Sequence, residues 1–227
     1  MEFEPMEFEI ENGVLTKYLG RSRKVRIPDG VTAIGSRAFH LCIWLKSVVI
    51  PNGVTKIDTD AFLLCKSLKK VKIPSTVKTI GVAAFADCKS LKKIVLPEGV
   101  ERIENSAFAV SDKLKKITIP QSVTFIDKVA FTGCHKLKYN IFENGLYLGN
   151  DKNPYHALIR VSDRKTAKTL QIHSETIVIA ESAFFGADSL ELIKCSEAVF
   201  AQVNRCLTDA EKKGSAAKIT LIAKDAE

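Results

Sequence analysis

Apolar residues recur along most of the chain with one fixed period. Between Ile27 and Leu137 the pattern I-P-x-x-V-x-x-I-x-x-x-A-F-x-x-C-x-x-L-x-x-V-x returns every 23 residues. Its aromatic position is filled five times, by Phe39, Phe62, Phe85, Phe108 and Phe131. A unit of this length cannot bury its apolar face alone, so we predict that successive units stack and lay like side chains over one another. The period therefore predicts a solenoid.

Each unit contains one short segment that alternates like a β-strand. Residues 68–74 read Leu-Lys-Lys-Val-Lys-Ile-Pro, so that apolar and lysine positions alternate before the proline. Proline has no N–H to donate to a strand ladder, and we expect the strand to end there. The following Val-x-x-Ile suits a turn or a second short extended piece, and Ala-Phe-x-x-Cys suits one helical turn.

Two segments outside the regular units have the pattern of β-hairpins. Asn12-Gly13 separates Phe8–Glu11 from an alternating segment at residues 14–18, which predicts an N-terminal hairpin that caps the first unit. Ile119 is followed by the next matching position, Ile172, after 53 residues in place of 23. Residues 140–171 are therefore an insertion, for which a second Asn-Gly turn and a third apolar segment predict a small antiparallel meander.

The last stretch of the chain changes to a helical period. Apolar residues after Ser196 are spaced as on one face of an amphipathic helix, which we expect to be capped by Ser196 and to end near Gly214. Residues 218–222 follow as a strand. We predict that this helix and strand form a C-terminal cap, with a free-standing helical partner motif as the alternative.

The repeated pattern closely resembles the leucine-rich repeat variant of BspA-like bacterial surface proteins. The resemblance covers Ile27 to Tyr139 directly and residues 172–193 more loosely, because His173 replaces Pro and Ala187 replaces Cys there. It implies an α/β fold, a leucine-rich-repeat solenoid or horseshoe of about six 23-residue repeats. We expect a single domain with a hairpin cap (1–26), five repeats (27–139), a β-rich insertion (140–171), a sixth repeat (172–195) and a helix–strand cap (196–227).

The composition is that of a chain that can bury a sizeable core. The 227 residues are 46% hydrophobic and 26% charged. No apolar run approaches the roughly 18 residues of a membrane span, so we expect no membrane insertion. The start of the chain, Met-Glu-Phe-Glu-Pro-Met-Glu, is acidic, whereas a signal peptide begins basic and continues apolar. Either the protein stays inside the cell or a leader was removed.

Four of the six cysteines share one repeat position, three residues after Phe; they are Cys42, Cys65, Cys88 and Cys134. Ser111 and Ala187 fill that position in two other units, so the position calls for a small residue and not for a thiolate. Stacking brings like residues to about 5 Å but leaves their side chains parallel, which does not favour a disulfide. We predict buried, unpaired thiols, with bridges or a metal site as the alternatives. Cys195 and Cys206 lie outside the array.

The sequence carries few signals of catalysis. The four histidines are dispersed, and only His135, beside Cys134, neighbours a soft metal ligand. No glycine-rich phosphate loop or nucleophile elbow occurs, and carboxylate pairs such as Asp58 with Asp60 fall on segments expected to face solvent. We therefore assign no catalytic residue, no metal site and no cofactor.

Positive charge is concentrated in the repeat array. Residues 27–138 hold 18 Lys plus Arg against 9 Asp plus Glu, whereas the whole chain carries a net charge of +8. Lysines align at two neighbouring repeat positions and form what we call the lysine stripe: Lys46, Lys69, Lys92, Lys115 and Lys138 in one row, and Lys70, Lys93 and Lys116 in the next. At a spacing of about 5 Å these cations lie within a Debye length of about 8 Å of one another, which suits a polyanionic partner.

The candidate ligand-binding residues are the central lysines of the stripe: Lys69, Lys70, Lys92, Lys93, Lys115 and Lys116. The alternative is a solvated face, since lysines on strands keep a sheet soluble. Nucleic acid is disfavoured because Trp44 and Tyr139 are the only aromatic residues nearby.

Together with the resemblance, these features predict a non-catalytic binding protein. The resemblance implies a bacterial cell-surface or secreted protein with a role in adhesion or protein contact. We expect a monomer whose ligand is a protein or an acidic polysaccharide. The first alternative is an intracellular repeat scaffold, and the second is an enzyme, which would need a pocket lined by titratable groups from the insertion.

Overall fold

A computed structural model describes residues 7–211 and 220–224. The chain divides into two compact units. The first runs to Ser122 and also contains residues 129–138, and the second contains Val123–Lys128 and the chain from Tyr139 onward. Both are built from short strands wound into solenoid turns, about eight in all, so the predicted leucine-rich-repeat solenoid is confirmed. The single-domain boundaries stay a prediction.

Two rows of short strands build the first unit. In chain order they are β1 (Phe8–Glu11), β2 (Val14–Tyr18), β3 (Lys24–Arg26), β4 (Ala33–Ile34), β5 (Ser47–Val49), β6 (Lys56–Ile57), β7 (Lys70–Lys72), β8 (Thr79–Ile80), β9 (Lys93–Val95), β10 (Arg102–Ile103) and β11 (Lys116–Thr118). We call β3, β5, β7, β9 and β11 the lysine-bearing sheet. We call β1, β2, β4, β6, β8 and β10 the second sheet. The Val-x-x-Ile segment is therefore a second short strand, one of the two alternatives that the sequence left open.

The predicted N-terminal hairpin is confirmed. Strands β1 and β2 are antiparallel around Asn12-Gly13, and both turn residues have positive φ, 49° and 79°, as a tight hairpin requires. Strand β2 then pairs in parallel with β4, and the ring of Tyr18 stacks on Phe39 at 5.0 Å. The hairpin thus covers the first strand and the first phenylalanine of the array. Residues 1–6 of the predicted cap lie outside the described residues.

The phenylalanines of the repeats form one stacked column. Successive ring centroids from Phe39 to Phe131 lie 4.8 to 5.8 Å apart, and the planes are within 12° of parallel. The segment around each Phe is a series of tight turns and not the predicted helical turn. The reason is that two residues around each of these five phenylalanines have left-handed backbone; for example, Leu64 has φ 63° and Val110 has φ 58°.

The repeat cysteines form a ladder of hydrogen bonds. The Cys65 thiol donates to the Phe39 carbonyl oxygen at 3.1 Å, and the equivalent bonds of Cys88 and Cys134 measure 3.4 and 3.0 Å. Ser111 makes the same bond through its hydroxyl, to Phe85 at 3.0 Å. All six cysteines of the described residues are buried and free of disulfides. In these four repeats the small residue is also a donor, whereas Ala187, at the same position of the sixth unit, has no side-chain donor.

The second unit has its own strands and one helix within the described residues. They are β12 (Phe125–Ile126), β13 (Asn140–Phe142), β14 (Gly145–Leu148), β15 (Ala157–Val161), β16 (Thr169–Gln171), β17 (Val178–Ile179), β18 (Leu192–Ser196), α1 (Glu197–Glu211) and β19 (Thr220–Lys224). The insertion forms the predicted meander, since β13, β14 and β15 pair antiparallel in that order. Strand β15 then pairs in parallel with β17, which joins the insertion to the sixth repeat.

The C-terminal segment confirms the predicted helix and strand, but Ser196 is not the N-cap of the helix as predicted. Ser196 is the last residue of β18, and its buried hydroxyl has no hydrogen-bond partner, so it does not cap α1. The helix is instead tied to the sheet by Gln202, whose amide accepts from the Ile179 N–H at 3.1 Å and donates to the Ile177 carbonyl at 2.8 Å. Strand β19 is parallel to β18. Gly214 and residues 218–219 lie outside the described residues.

In the part of the chain that the structure describes, no helix combines the length and the apolar character that crossing a membrane demands.

Candidate ligand-binding surface

The structure places the predicted lysines on one sheet. Lys70, Lys93 and Lys116 begin β7, β9 and β11, and each is preceded by the other lysine of its repeat. All six candidate lysines are exposed. Lys93 and Lys116 are register partners on adjacent parallel strands, so their Cα atoms are about one strand spacing, roughly 4.8 Å, apart.

Among the described residues, five of the six candidate lysines lack the ion pairs that cations on the second sheet have. On that sheet the Lys56 ammonium lies 3.1 Å from Asp58, and the Lys78 ammonium, just before β8, lies 2.8 Å from Glu101. No carboxylate in the described part of the chain lies within ion-pair distance of these five: Lys69, Lys70, Lys92, Lys93 and Lys115. The positive charge of these five lysines is therefore not balanced by ion pairs with the acidic residues that the structure describes.

The lysine-bearing sheet is interrupted between β7 and β9. Strands β3, β5 and β7 form one parallel ladder and β9 and β11 form another, but no ladder joins β7 to β9. The break also shows at the lysines themselves. The Lys69 N–H donates to Lys46 and the Lys115 N–H donates to Lys92, each at 2.8 Å, whereas no such bond joins Lys92 to Lys69. The second sheet stays paired through β6, β8 and β10.

A cleft of about 890 Å³ lies at this break. Its walls include Val71 and Lys72 from one side and Lys93, Ile94 and Val95 from the other. Val71 is only partly buried, although the same position is almost completely buried in the repeats before and after it. Val95 is 50% exposed. The cleft therefore combines apolar walls with a cationic rim.

Sequence reasoning found the lysines of this surface but missed the cleft. Val71 and Ile94 occupy the ordinary valine position of the repeat, and residues 69–72 differ little from those in neighbouring units. No residue type marks the interruption. It is visible only from the spacing of two strands whose residues are 23 apart in sequence.

Among the described residues, the other chemically reactive groups lie apart from one another. His135 is exposed, while the neighbouring Cys134 is buried and donates to a backbone carbonyl. His156 is buried, and its Nε2 lies 2.8 Å from the Val123 carbonyl oxygen, to which it donates. Burial raises the pKa of the Cys42 and Cys134 thiols to about 11, which disfavours the thiolate. Within the described residues, no three His, Cys, Asp or Glu side chains are grouped as metal ligands.

Comparison with known families gives one match. Residues 9–138 match the family described as "BspA type Leucine rich repeat region", in six copies. This is one copy more than the five units recognised by their period, because the match begins inside the N-terminal hairpin. A comparison with curated proteins found no match.

Several solved structures have a similar fold. A leucine-rich cell surface protein from Faecalibacterium prausnitzii has 34% sequence identity and a TM-score of 0.56, over 69% of this chain and 40% of its own. This chain thus spans less than half of that protein. The leucine-rich repeat protein of T. pallidum has 22% identity and a TM-score of 0.57, over 99% of this chain and 100% of its own. One from Eubacterium ventriosum has 20% identity and a TM-score of 0.50, over 82% and 60%.

Proposed function

Because the chain belongs to the BspA-type leucine-rich repeat family, we propose that it is a non-catalytic interaction module whose lysine stripe binds an acidic partner. The partner is a protein or an acidic polysaccharide, and the context is adhesion at a bacterial surface or after secretion. The similar protein from F. prausnitzii is described as a cell surface protein, which supports this context. An intracellular scaffold is the alternative.

The observation that carries the proposal is the difference in charge pairing between the two sheets. A lysine kept only for solubility can be paired with a nearby carboxylate, as Lys56 and Lys78 are. Lys69, Lys70, Lys92, Lys93 and Lys115 are instead aligned and have no ion pair within the described residues, although neighbouring like charges repel one another. An acidic ligand would relieve this repulsion and would gain from several cations at once.

The experiment compares two triple variants that change the net charge equally. We expect Lys70→Glu, Lys93→Glu and Lys116→Glu together to abolish retention of the protein on an immobilised sulfated polysaccharide at about 0.15 M salt. The reason is that they reverse the charge at three positions of the stripe. The control carries Lys56→Glu, Lys78→Glu and Lys128→Glu, outside the lysine-bearing sheet, and should still be retained. Circular dichroism should show both variants folded.

Two results would contradict the proposal. Equal loss of retention in both variants would mean that only net charge matters. No retention of the unmodified protein on the polysaccharide, together with no binding to acidic peptides, would leave the stripe as a solvated face.

The cellular context has a separate test. A leader sequence encoded upstream of Met1 would support the surface or secreted context, and a gene that starts at Met1 would favour the intracellular scaffold.

A further inference from the structure

Peptide groups at the break in the lysine-bearing sheet point into the cleft and have no partner among the described residues. The Lys70 N–H donates to Lys46, and the Lys72 carbonyl accepts from Ile50, so both residues use their peptide groups on the β5 side. Peptide groups alternate in direction along a strand, and Val71 therefore directs its N–H and carbonyl toward β9. Strand β9 pairs with β11 on its other side, and Ile94 directs its peptide groups toward β11. The peptide groups of Lys93 and Val95 therefore face β7. Two unpaired strand edges face each other.

The gap between β7 and β9 is confined to these two strands. Cα atoms of β7 and β9 still come within 8 Å of each other, whereas strands on either side of an interposed strand are about 9.6 Å apart. Gly99 closes one end, since a Cβ there would lie 2.1 Å from the Ser75 carbonyl oxygen. Behind the cleft, the Phe62 and Phe85 rings remain stacked at 5.1 Å. A strand could therefore enter after a further opening of a few ångströms between two otherwise fixed repeats.

We propose that this cleft binds an extended segment of a partner protein, in which acidic and apolar residues alternate, as an added β-strand between β7 and β9. The inference rests on the proposed function and narrows it to a peptide ligand at one place in the stripe. Main-chain hydrogen bonds to Val71, Lys93 and Val95 supply the affinity, as in other cases of strand addition.

The side chains around the cleft favour a peptide in which acidic and apolar residues alternate. Lys70 and Lys72 on one side and Lys93 on the other face outward, so carboxylates at the outward positions of the added strand lie between cations. Val71 and Ile94 face inward, so the intervening residues must be apolar and small enough to fill the cleft. A sulfated polysaccharide satisfies the cations but not the peptide groups, and this difference makes the inference testable.

The first test closes the cleft reversibly. Lys72 and Val95 occupy the same repeat position on β7 and β9, and both side chains face outward. In the variant Lys72→Cys, Val95→Cys, oxidation should trap the two strands when these Cα atoms approach within about 7 Å, and mass spectrometry verifies the bridge before binding is measured. The natural cysteines are buried, so the unmodified protein treated with the same oxidant and reductant is the control.

The probe is a fluorescent, blocked peptide of alternating Glu and Val, titrated against the full chain. We expect the reduced variant to bind it, the oxidised variant to bind at least about tenfold more weakly, and reduction to restore binding. Retention on the sulfated polysaccharide should be the same in both redox states, since all the remaining lysines are still exposed. Equal peptide affinity in both states would overturn the inference, while unchanged retention would leave the proposed function standing.

A second test needs no change in the protein. Methylating alternate backbone nitrogens of the peptide removes the N–H groups along one edge but keeps its charge and side chains. We expect each of the two possible methylation patterns to weaken binding by about tenfold or more, because both edges of the added strand are used. Unchanged affinity of both methylated peptides would overturn strand addition and would assign binding to charge alone.

Discussion

The two sheets of the first unit are built from the same repeat, yet they differ in charge pairing and in continuity. The second sheet is an unbroken parallel ladder from β2 to β10, and Lys56 and Lys78 are held by carboxylates on that side. The lysine-bearing sheet is broken between β7 and β9, and Lys70 and Lys93 at the break have no carboxylate partner among the described residues. The stacked core is thus compatible with a continuous sheet on one side and an interrupted sheet on the other, and with different charge pairing on the two surfaces.

Repulsion between lysines is not by itself the cause of the break. Lys93 and Lys116 are register partners, and the strands that carry them are paired. The lysines at the break, Lys70 and Lys93, are of the same type at the same repeat position. Nothing in the identity of these residues explains why one ladder forms and the other does not.

The largest effect is expected from removing the hairpin that begins the second sheet. Deletion of residues 1–18 should expose the Phe39 ring and the edge of β4, both of which the hairpin covers. We expect aggregation, because an open strand edge next to an apolar face pairs readily with other chains. Light scattering of the purified variant measures this. A monomeric variant with the melting temperature of the full chain would show that the hairpin is dispensable.

Alkaline pH tests the core that the two sheets share. Burial raises the pKa of Cys42 and Cys134 from 9.0 to about 11. Unfolded thiols ionise near the lower value while the folded thiols stay protonated, so the stability present below pH 9 is lost as the pH rises toward about 11. Each such thiol should lower the free energy of unfolding by about 1.4 kcal/mol per pH unit in this range.

Urea denaturation at a series of pH values from about 8 to about 10.5 measures this loss. The control is Cys134→Ser, which keeps a donor in the ladder, as Ser111 does, and removes one ionisable group. Its stability should fall less steeply with pH. The same slope in both proteins would mean that the buried thiols do not govern the alkaline loss.

A substitution at Cys88 tests the turn that leads into β9, next to the break. Cys88→Leu overpacks a fully buried site and removes the bond to the Phe62 carbonyl, so we expect a loss of about 1–3 kcal/mol in the free energy of unfolding. Cys88→Ser keeps a small donor and should cost much less. Chemical denaturation of both variants checks the difference, and equal losses would show that volume at this position is unimportant.

The smallest effect is expected when one lysine next to the second sheet and one on the lysine-bearing sheet are neutralised in turn. Lys78→Gln removes the ion pair with Glu101. Because both side chains are about half exposed, the free energy of unfolding should fall by only about 0.2–1 kcal/mol. Lys93→Gln removes a cation next to Lys116 and should cost nothing or stabilise slightly. The difference, measured by urea denaturation, should shrink at high salt. Equal losses from the two variants would contradict the difference in charge pairing.

Sequence reasoning recovered the elements that depend on local pattern. The turn at Asn12-Gly13, the meander of residues 140–161 and the strand that ends before each proline follow from alternation and turn chemistry over a few residues. It failed at Ser196, where a good capping residue lies in a strand that continues to the first residue of α1. There the pairing of β18 with β19 overrides the local preference.

Of the candidate surface, the sequence predicts the lysines but not the cleft. The alignment of the lysines follows directly from the period, and their exposure follows from the alternation of the strand. The cleft does not follow, because the repeats on its two sides have nearly the same residues.

The sequence by itself determined the period, the stacked phenylalanines and the side of the repeat on which the lysines lie. These features depend on spacing along the chain, and a repeated spacing forces like residues into register when the units stack. Only the tertiary structure decided which carboxylates reach which lysines, that the cysteines donate to carbonyls of the preceding repeat, and that the ladder stops between β7 and β9. Each of these depends on distances of a few ångströms between neighbouring turns, and such distances are set by the packing of the whole stack.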